Sequence, residues 1–277
     1  MVLAEGRWAW WNGYGTLSVA PSVQRAKDAA LDGLIVKWGH WETWEAFRRA
    51  DVPLAVERYV YPHQATLEAR RLAEGIDRGA RFAVINAEVE WETLGPEPMR
   101  QLIAEFRRRK PAAELYASVD TRGGRMALPY QRVLAEHVAG WMPMIYPKAF
   151  RPSQPSGYIG QAFRDALDGN DFGGKPVLPT IQTYDQIGAG AVSAQIAEVR
   201  RRRLPGFQAY TISHATDTEW AVLVRKGREE MTAVNELRRL QAVAGLFLQA
   251  ASHALRGEGL PVLMKKQIEW LLEIDDR

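Results

Sequence analysis

Short apolar runs alternate with amphipathic stretches from residue 7 to about residue 227. The runs are "RWAWWNGY" (7–14), "GLIVKWG" (33–39), "PLAVERYVY" (53–61), "RFAVINAEVE" (81–90), "ELYASVD" (114–120), "AGWMPMIY" (139–146), "PVLPTIQTY" (176–184) and "GFQAYTIS" (206–213). Their length and their content of β-branched and aromatic residues predict strands. Between them, stretches such as "ATLEARRLAEGIDRGA", "PEPMRQLIAEFRRRK", "SGYIGQAFRDALDG" and "AVSAQIAEVRRRR" set apolar residues at i, i+3 and i+4 against a polar face. That period belongs to helices packed on one side. Strands separated by helices pair in parallel through right-handed crossovers. Eight such units predict an α/β fold, a (β/α)8 TIM barrel, over an open doubly wound sheet. No G-x-G-x-x-G follows the first strand, which weakens the dinucleotide-binding alternative.

After Gly227 the pattern changes. Residues 228–277 carry no strand signal and read as a long helix, a break near "RGEGLP", and a second helix. The expected organisation is therefore a barrel over 1–227 and a C-terminal helical extension over 228–277. Leu237, Leu240, Val243, Leu246 and Leu248 form an apolar stripe on the first helix. It suits either a hairpin packed on the barrel or an element of homo-oligomerisation or attachment.

Composition narrows the function. Hydrophobic residues at 47% and charged residues at 25% are globular values, so a large core is expected and wholesale disorder is not. A net charge of +3 is small, and "RRRK" (107–110) and "RRRR" (200–203) close helices, where cations complement the dipole. No nucleic-acid partner is expected. Without cysteine there is no disulfide, thiolate metal site or cysteine nucleophile. The five histidines lack ligand spacing, so neither a metal nor another cofactor is expected. No apolar stretch reaches membrane-spanning length, and no secretory pattern opens the chain. The expectation is cytoplasmic synthesis, with any release by lysis or within a phage particle.

The fourth strand raises the chemical question. In "FAVINAEVEWE" an asparagine and three glutamates alternate, so a strand there would put Asn86, Glu88, Glu90 and Glu92 on one face. In such barrels, inward residues at the strand ends build the active site. The same alternation on neighbouring strands supplies Lys37, Glu57 with Tyr59 and Tyr61, Ser118 with Asp120, Tyr146, Gln182 with Tyr184, and Tyr210. A ring of carboxylates, amides and hydroxyls in one mouth is what glycoside hydrolysis requires. Glu88 is the expected general acid and Glu90 its partner or water-activating base. Asn86, Lys37, Tyr59, Tyr61, Asp120, Tyr146, Gln182 and Tyr210 are expected to contact a polysaccharide.

The motif also carries a resemblance. "AVINAE" resembles the Asp-x-Glu at the fourth-strand end of family 25 lysozymes, with Asn86 at the aspartate position. "EVEWE" is similar to the Asp-x-Asp-Trp-Glu of family 18 chitinases, with Glu88 and Glu90 at the aspartates and Glu92 as the acid. "MPMIYP" is similar to the chitinase Met-x-Tyr-Asp, which puts Tyr146 near the sugar and Pro147 at the aspartate position. The resemblance implies a TIM-barrel glycoside hydrolase acting on peptidoglycan or another amino-sugar polymer. Strand length favours Glu88 over Glu92, because a residue that far along would pass the barrel rim. A second class stays open: a non-catalytic carbohydrate-binding or structural barrel, such as a phage particle component. An open acid-lined cleft would favour hydrolysis; a mouth plugged by tryptophans or by the C-terminal helices would favour the second class.

Two further signals are weaker. "KWGHWETW" spaces Trp38, Trp41 and Trp44 for a core or helix start, with sugar stacking at the rim as the alternative. "GAGAVS" reads as a Gly-rich helix entry, with a phosphate cradle as the alternative.

Overall fold

The structure is a computed structural model that describes residues 6–13, 17–150 and 155–225, together with the helical positions Gly245 and Leu248. The chain divides into two compact units, Met1–Arg225 and Lys226–Arg277. The helical hairpin expected over 228–277 otherwise lies outside the described residues.

The first unit is a closed barrel. β1 (Gly6–Trp11), β2 (Gly33–Lys37), β3 (Leu54–Tyr59), β4 (Ala83–Asn86), β5 (Leu115–Val119), β6 (Gly140–Ile145), β7 (Thr180–Gln182) and β8 (Gly206–Tyr210) follow in order, and β8 closes on β1. Every pair is parallel. The helices are α1 (Val19–Asp28), α2 (Trp41–Arg49), α3 (Ala65–Asp77), α4 (Glu97–Arg109), α5 (Pro129–His137), α6 (Pro147–Phe150), α7 (Pro155–Leu167) and α8 (Ala189–Arg201). Residues 217–225 add a helix after β8.

Alternation along each strand sorts the side chains into two apolar layers. Leu34, Val36, Val56, Ile85, Ala117 and Ile145 face outward and pack with helical residues such as Leu72, Leu102, Phe106, Leu134 and Phe163. Burying a side chain of this size stabilises the fold by roughly 1.5–3 kcal/mol. Trp8, Trp10, Ile35, Phe82, Val84, Tyr116 and Met142 fill the barrel itself. At its base Trp8 meets Phe82 edge-on at 4.7 Å, and Phe82 meets Tyr116 at 5.0 Å. Gly33 makes this possible, since a Cβ there would lie 2.3 Å from the Trp8 ring. The base is packed around these rings, with the buried Gln208, register partner of Trp8, beside them, and the carboxyl groups stand in the upper layer.

The fourth strand is shorter than its sequence pattern suggests. Pairing ends at Asn86, opposite Tyr59 and Ser118, and Val89–Trp91 forms a 3-10 turn. Trp91 causes the bend. Its indole is fully buried and its Nε1 donates to the Val60 carbonyl at 2.9 Å, which draws the chain back towards the core. The expected shared face of Asn86, Glu88, Glu90 and Glu92 is therefore broken after Glu88.

Candidate active site

Two adjoining cavities open at the carboxyl ends of the strands. The larger, about 310 Å3, has Asn86, Glu88, Ser118, Asp120 and Arg122 on the β4–β5 side. Tyr146, Phe150, Tyr184 and Tyr210 line it from β6 to β8. The smaller, about 130 Å3, is walled by Lys37, Glu57, Tyr59 and Asn12 among others. Trp10, Asn86, Glu88 and Tyr210 belong to both, so Glu88 stands on the wall between them. Trp10 is 4% exposed, and among the described residues the tryptophans of β1 do not fill the larger cavity.

Asn86 organises the carboxyl groups. Its carboxamide hydrogen-bonds to Glu57 and to Glu88. Its Oδ1 meets no donor, so both bonds run from Nδ2. Glu57, the register partner of Lys37, is buried, and burial pushes its pKa from 4.5 up to about 7 despite the opposing charges of Lys37 and Arg58. Glu88 is also raised, by burial and then by the charges of Glu90 and Asp120, against the Asn86 bond. Both carboxyl groups thus hold their protons longer than an exposed glutamate.

Asp120 behaves in the opposite way. Burial works to raise it, but the Arg122 side chain and N–H, with Arg125, outweigh burial and hold it below the ordinary carboxylate range. Arg122 donates to its two oxygens at 2.9 and 2.7 Å and lays its guanidinium on the Phe150 ring at 3.2 Å. Tyr146 and Tyr184 stay neutral. Tyr146 is pushed well above its usual value by burial and its neighbours Tyr210 and Tyr184, and Tyr184 is pushed up to about 12. These three rings sit 5.6–5.7 Å apart as a wall of hydroxyl-bearing aromatics.

Of the residues singled out from sequence, Asn86, Glu88, Asp120, Tyr146 and Tyr210 meet in the larger cavity, and Lys37 and Tyr59 join Asn86, Glu88 and Tyr210 in the smaller. Glu90 is exposed on the 3-10 turn, where it accepts a 2.5 Å bond from Tyr59. Tyr61 lies on the rim beside Tyr59, with centroids 5.2 Å apart. Gln182 is buried; its Oε1 accepts from the Lys148 N–H and so anchors α6. Glu92 pairs with Arg125 at 2.7 Å and walls neither cavity. Sequence reasoning missed Trp10, Asn12, Arg122 and Phe150. Parity from Trp8 would have found Trp10, and the Asp-x-Arg after the fifth strand signals the turn in which Asp120 accepts the Arg122 N–H.

The other candidates have structural roles. Trp44 is buried, and its Nε1 donates to the Arg78 carbonyl. Trp38 lies under Arg58 and Arg71, and Trp41 under Arg78. The tryptophan series therefore joins α2 to α3 and is no part of the mouth. The Gly188 N–H at the start of α8 is taken by the buried Glu219 carboxylate at 2.8 Å, which occupies the place a phosphate would need. Arg108 and Arg109 pair with Glu105, and Arg201 and Arg202 with Glu198. No group of three or more metal-ligating side chains occurs among the described residues, and none of their helices is long and apolar enough to cross a membrane.

No protein-family profile matches the chain, and no curated protein matches it. Solved structures do. A chitinase from Chromobacterium violaceum ATCC 12472 superposes with a TM-score of 0.54 at 13% identity, over 81% of this chain and 99% of that one. A GH18 chitinase from Pseudoalteromonas aurantia gives 0.55 at 10% identity, over 80% and 99%. The spore cortex-lytic enzyme SleL of Bacillus cereus gives 0.52 at 9%, over 79% and 74%. At such identities the likeness speaks for architecture alone: this chain is a TIM barrel like those of glycoside hydrolases.

Proposed function

We propose that the protein is a glycosidase that cleaves an amino-sugar polysaccharide, with Glu88 as its general acid. The observation that carries this reading is a pair of carboxyl groups on one cavity wall whose protonation is pushed in opposite directions, Glu88 up and Asp120 down. Glycoside hydrolysis needs that division of roles. Glu88 donates its proton to the leaving oxygen as the glycosidic bond breaks. Ionised Asp120, one strand away, faces the positive charge that develops on the sugar; water then adds to that carbon and its proton returns to the Glu88 carboxylate. Asn86 holds Glu88 in place, and Glu90 acts through its charge, which helps Glu88 keep its proton. Tyr146, Tyr184 and Tyr210 offer hydroxyls to the sugar ring, and Lys37 and Tyr59 line the space beside it. Two of the similar structures are named as chitinases, which makes chitin the first polymer to test.

The test compares the wild type with Glu88→Gln, which keeps the shape and removes the transferable proton. Reducing-end release is measured on chitin, peptidoglycan and a panel of plain glucans. The expected loss is roughly a hundredfold to ten-thousandfold with the circular-dichroism spectrum unchanged. Equal activity in the variant would exclude Glu88 as the acid. A second reading, a barrel that binds sugar without cutting it, draws on Asn86 and Pro147 standing where the resembled families carry aspartate. It predicts that the wild type retains polysaccharide and releases no reducing ends.

A further inference from the structure

One sector of the mouth rim differs from the rest. From the smaller cavity a row of rings leads outward over the end of β3: Tyr59, then Tyr61 at 5.2 Å, then His63 at 5.8 Å. Tyr59 walls the cavity, Tyr61 is half-buried, and His63 is exposed. A second, independent feature falls in the same sector. The large apolar side chains left exposed on the described barrel are Val89 at 64%, Leu67 at 43% and Leu94 at 38%. All three belong to the segments that follow β3 and β4. Those segments pack together, since α4 contacts the Pro62–Gln64 turn. The rim over β5 to β7 is built differently, from ion pairs such as Asp120–Arg122 and Lys148–Asp185.

Apolar side chains exposed on adjoining segments of one sector favour a binding surface there. Three features narrow the occupant. The strip is continuous with a cavity that holds the proposed acid. Its rings present faces on which the C–H face of a sugar packs, with polar atoms at their edges for the hydroxyls. Residues 59–64 and 87–95, which carry the rings and two of the apolar side chains, contain no lysine or arginine, so the strip sets no fixed cation against a polyanion.

We infer that the β3–β4 rim carries an uncharged polysaccharide chain, which leaves the cavity over Tyr61 and His63. The chain thereby extends past the acid, and cleavage falls inside the polymer. This rests on the function proposed above for the placing of the sugar in the mouth, and it adds the polymer's path and charge class.

Binding and cutting are measured separately. Glu88→Gln protein is run in native gels cast with glycol chitin, hydroxyethyl cellulose or polygalacturonate. It is compared with the same protein carrying Tyr61→Ala and His63→Ala, and with a form carrying Tyr61→Phe and His63→Tyr. Both sites sit on the rim, so thermal melting should change little and report that each variant is folded. Retardation by at least one uncharged polymer and none by polygalacturonate is expected. The double alanine form should bind roughly tenfold more weakly, and the ring-preserving form should bind like its parent. With the wild type, viscosity should fall steeply for each reducing end released. Equal retardation of the alanine form, retardation by polygalacturonate alone, or none by any polymer would overturn the strip. Retardation lost with the rings, but no cleavage by the wild type, would sink the hydrolase reading and leave the strip standing.

Discussion

Glu57 is the residue whose replacement gives the sharpest thermodynamic test of the mouth. It is 5% exposed, hydrogen-bonded to Asn86, and its pKa is about 7 against an ordinary 4.5. Because the folded pKa lies above the unfolded one, the folded chain keeps this proton after the unfolded chain has lost it. Below pH 4.5 both states are protonated and there is no penalty. Between 4.5 and about 7 the unfolded chain gains from ionising and stability falls; above 7 the loss is complete. At 1.36 kcal/mol for each pH unit the full effect is about 3 kcal/mol. Glu57→Gln stays neutral at every pH and keeps an acceptor for the Asn86 Nδ2. Lys37 is only partly buried, so the variant does not strand a dry charge.

The stability of Glu57→Gln relative to the wild type should therefore rise across that window. For a domain of this size 3 kcal/mol corresponds to roughly 6–12 °C in Tm. Thermal melts of both proteins from about pH 4 to about pH 8, read by circular dichroism, give the difference directly. A competing account has Glu57 ionised throughout as the partner of Lys37, in a buried ion pair. Under that account the difference is constant over the window, or the variant is worst at neutral pH. Either result would refute the protonated Glu57.

Asp120→Asn removes a charge that raises Glu88, so the alkaline limb of kcat/KM should move to lower pH; an unmoved limb would separate the two carboxyl groups. Gly33→Ala forces a Cβ to within 2.3 Å of Trp8 and 2.5 Å of the Pro53 carbonyl oxygen, and should destabilise the barrel by roughly 1–3 kcal/mol in urea titrations.

The fold was legible because a barrel strand repeats one rule. Alternate residues meet the axis and the ones between them the helices, and that parity survives errors in where the strand ends. Ile35 and Lys37, Ala55 and Glu57, Val84 and Asn86 follow it without exception, the apolar member lower and the polar one above. The site was legible only as far as the pairing runs. Beyond Asn86 the chain answers to Trp91, and no periodicity in "EVEWE" announces that a buried indole will turn it. Glu90 and Glu92 leave the face for that reason, the first to Tyr59 and the second to Arg125. Arg122 was hidden for a different reason. Its place depends on Asp120 beside it and on Phe150, which arrives from the other side of β6, and such a contact has no spacing in sequence.

The turn at Trp91 also bears on why the acid would be Glu88. A carboxyl group still on the strand, as Glu57 is, lies on the wall of the smaller cavity, where burial favours its protonated form. One farther out, such as Glu92, pairs with Arg125 and walls neither cavity. Glu88 is the first residue past the ladder whose side chain still lines both cavities. There it is buried enough to be raised and open enough to reach a substrate. If Trp91→Phe, which deletes the bond to Val60, loosened the turn, Glu88 would gain water and its pKa would fall towards the ordinary value. Activity at neutral pH would then drop, although Trp91 touches no substrate, and an acidic shift of the pH profile would mark the cause as lost positioning of the acid.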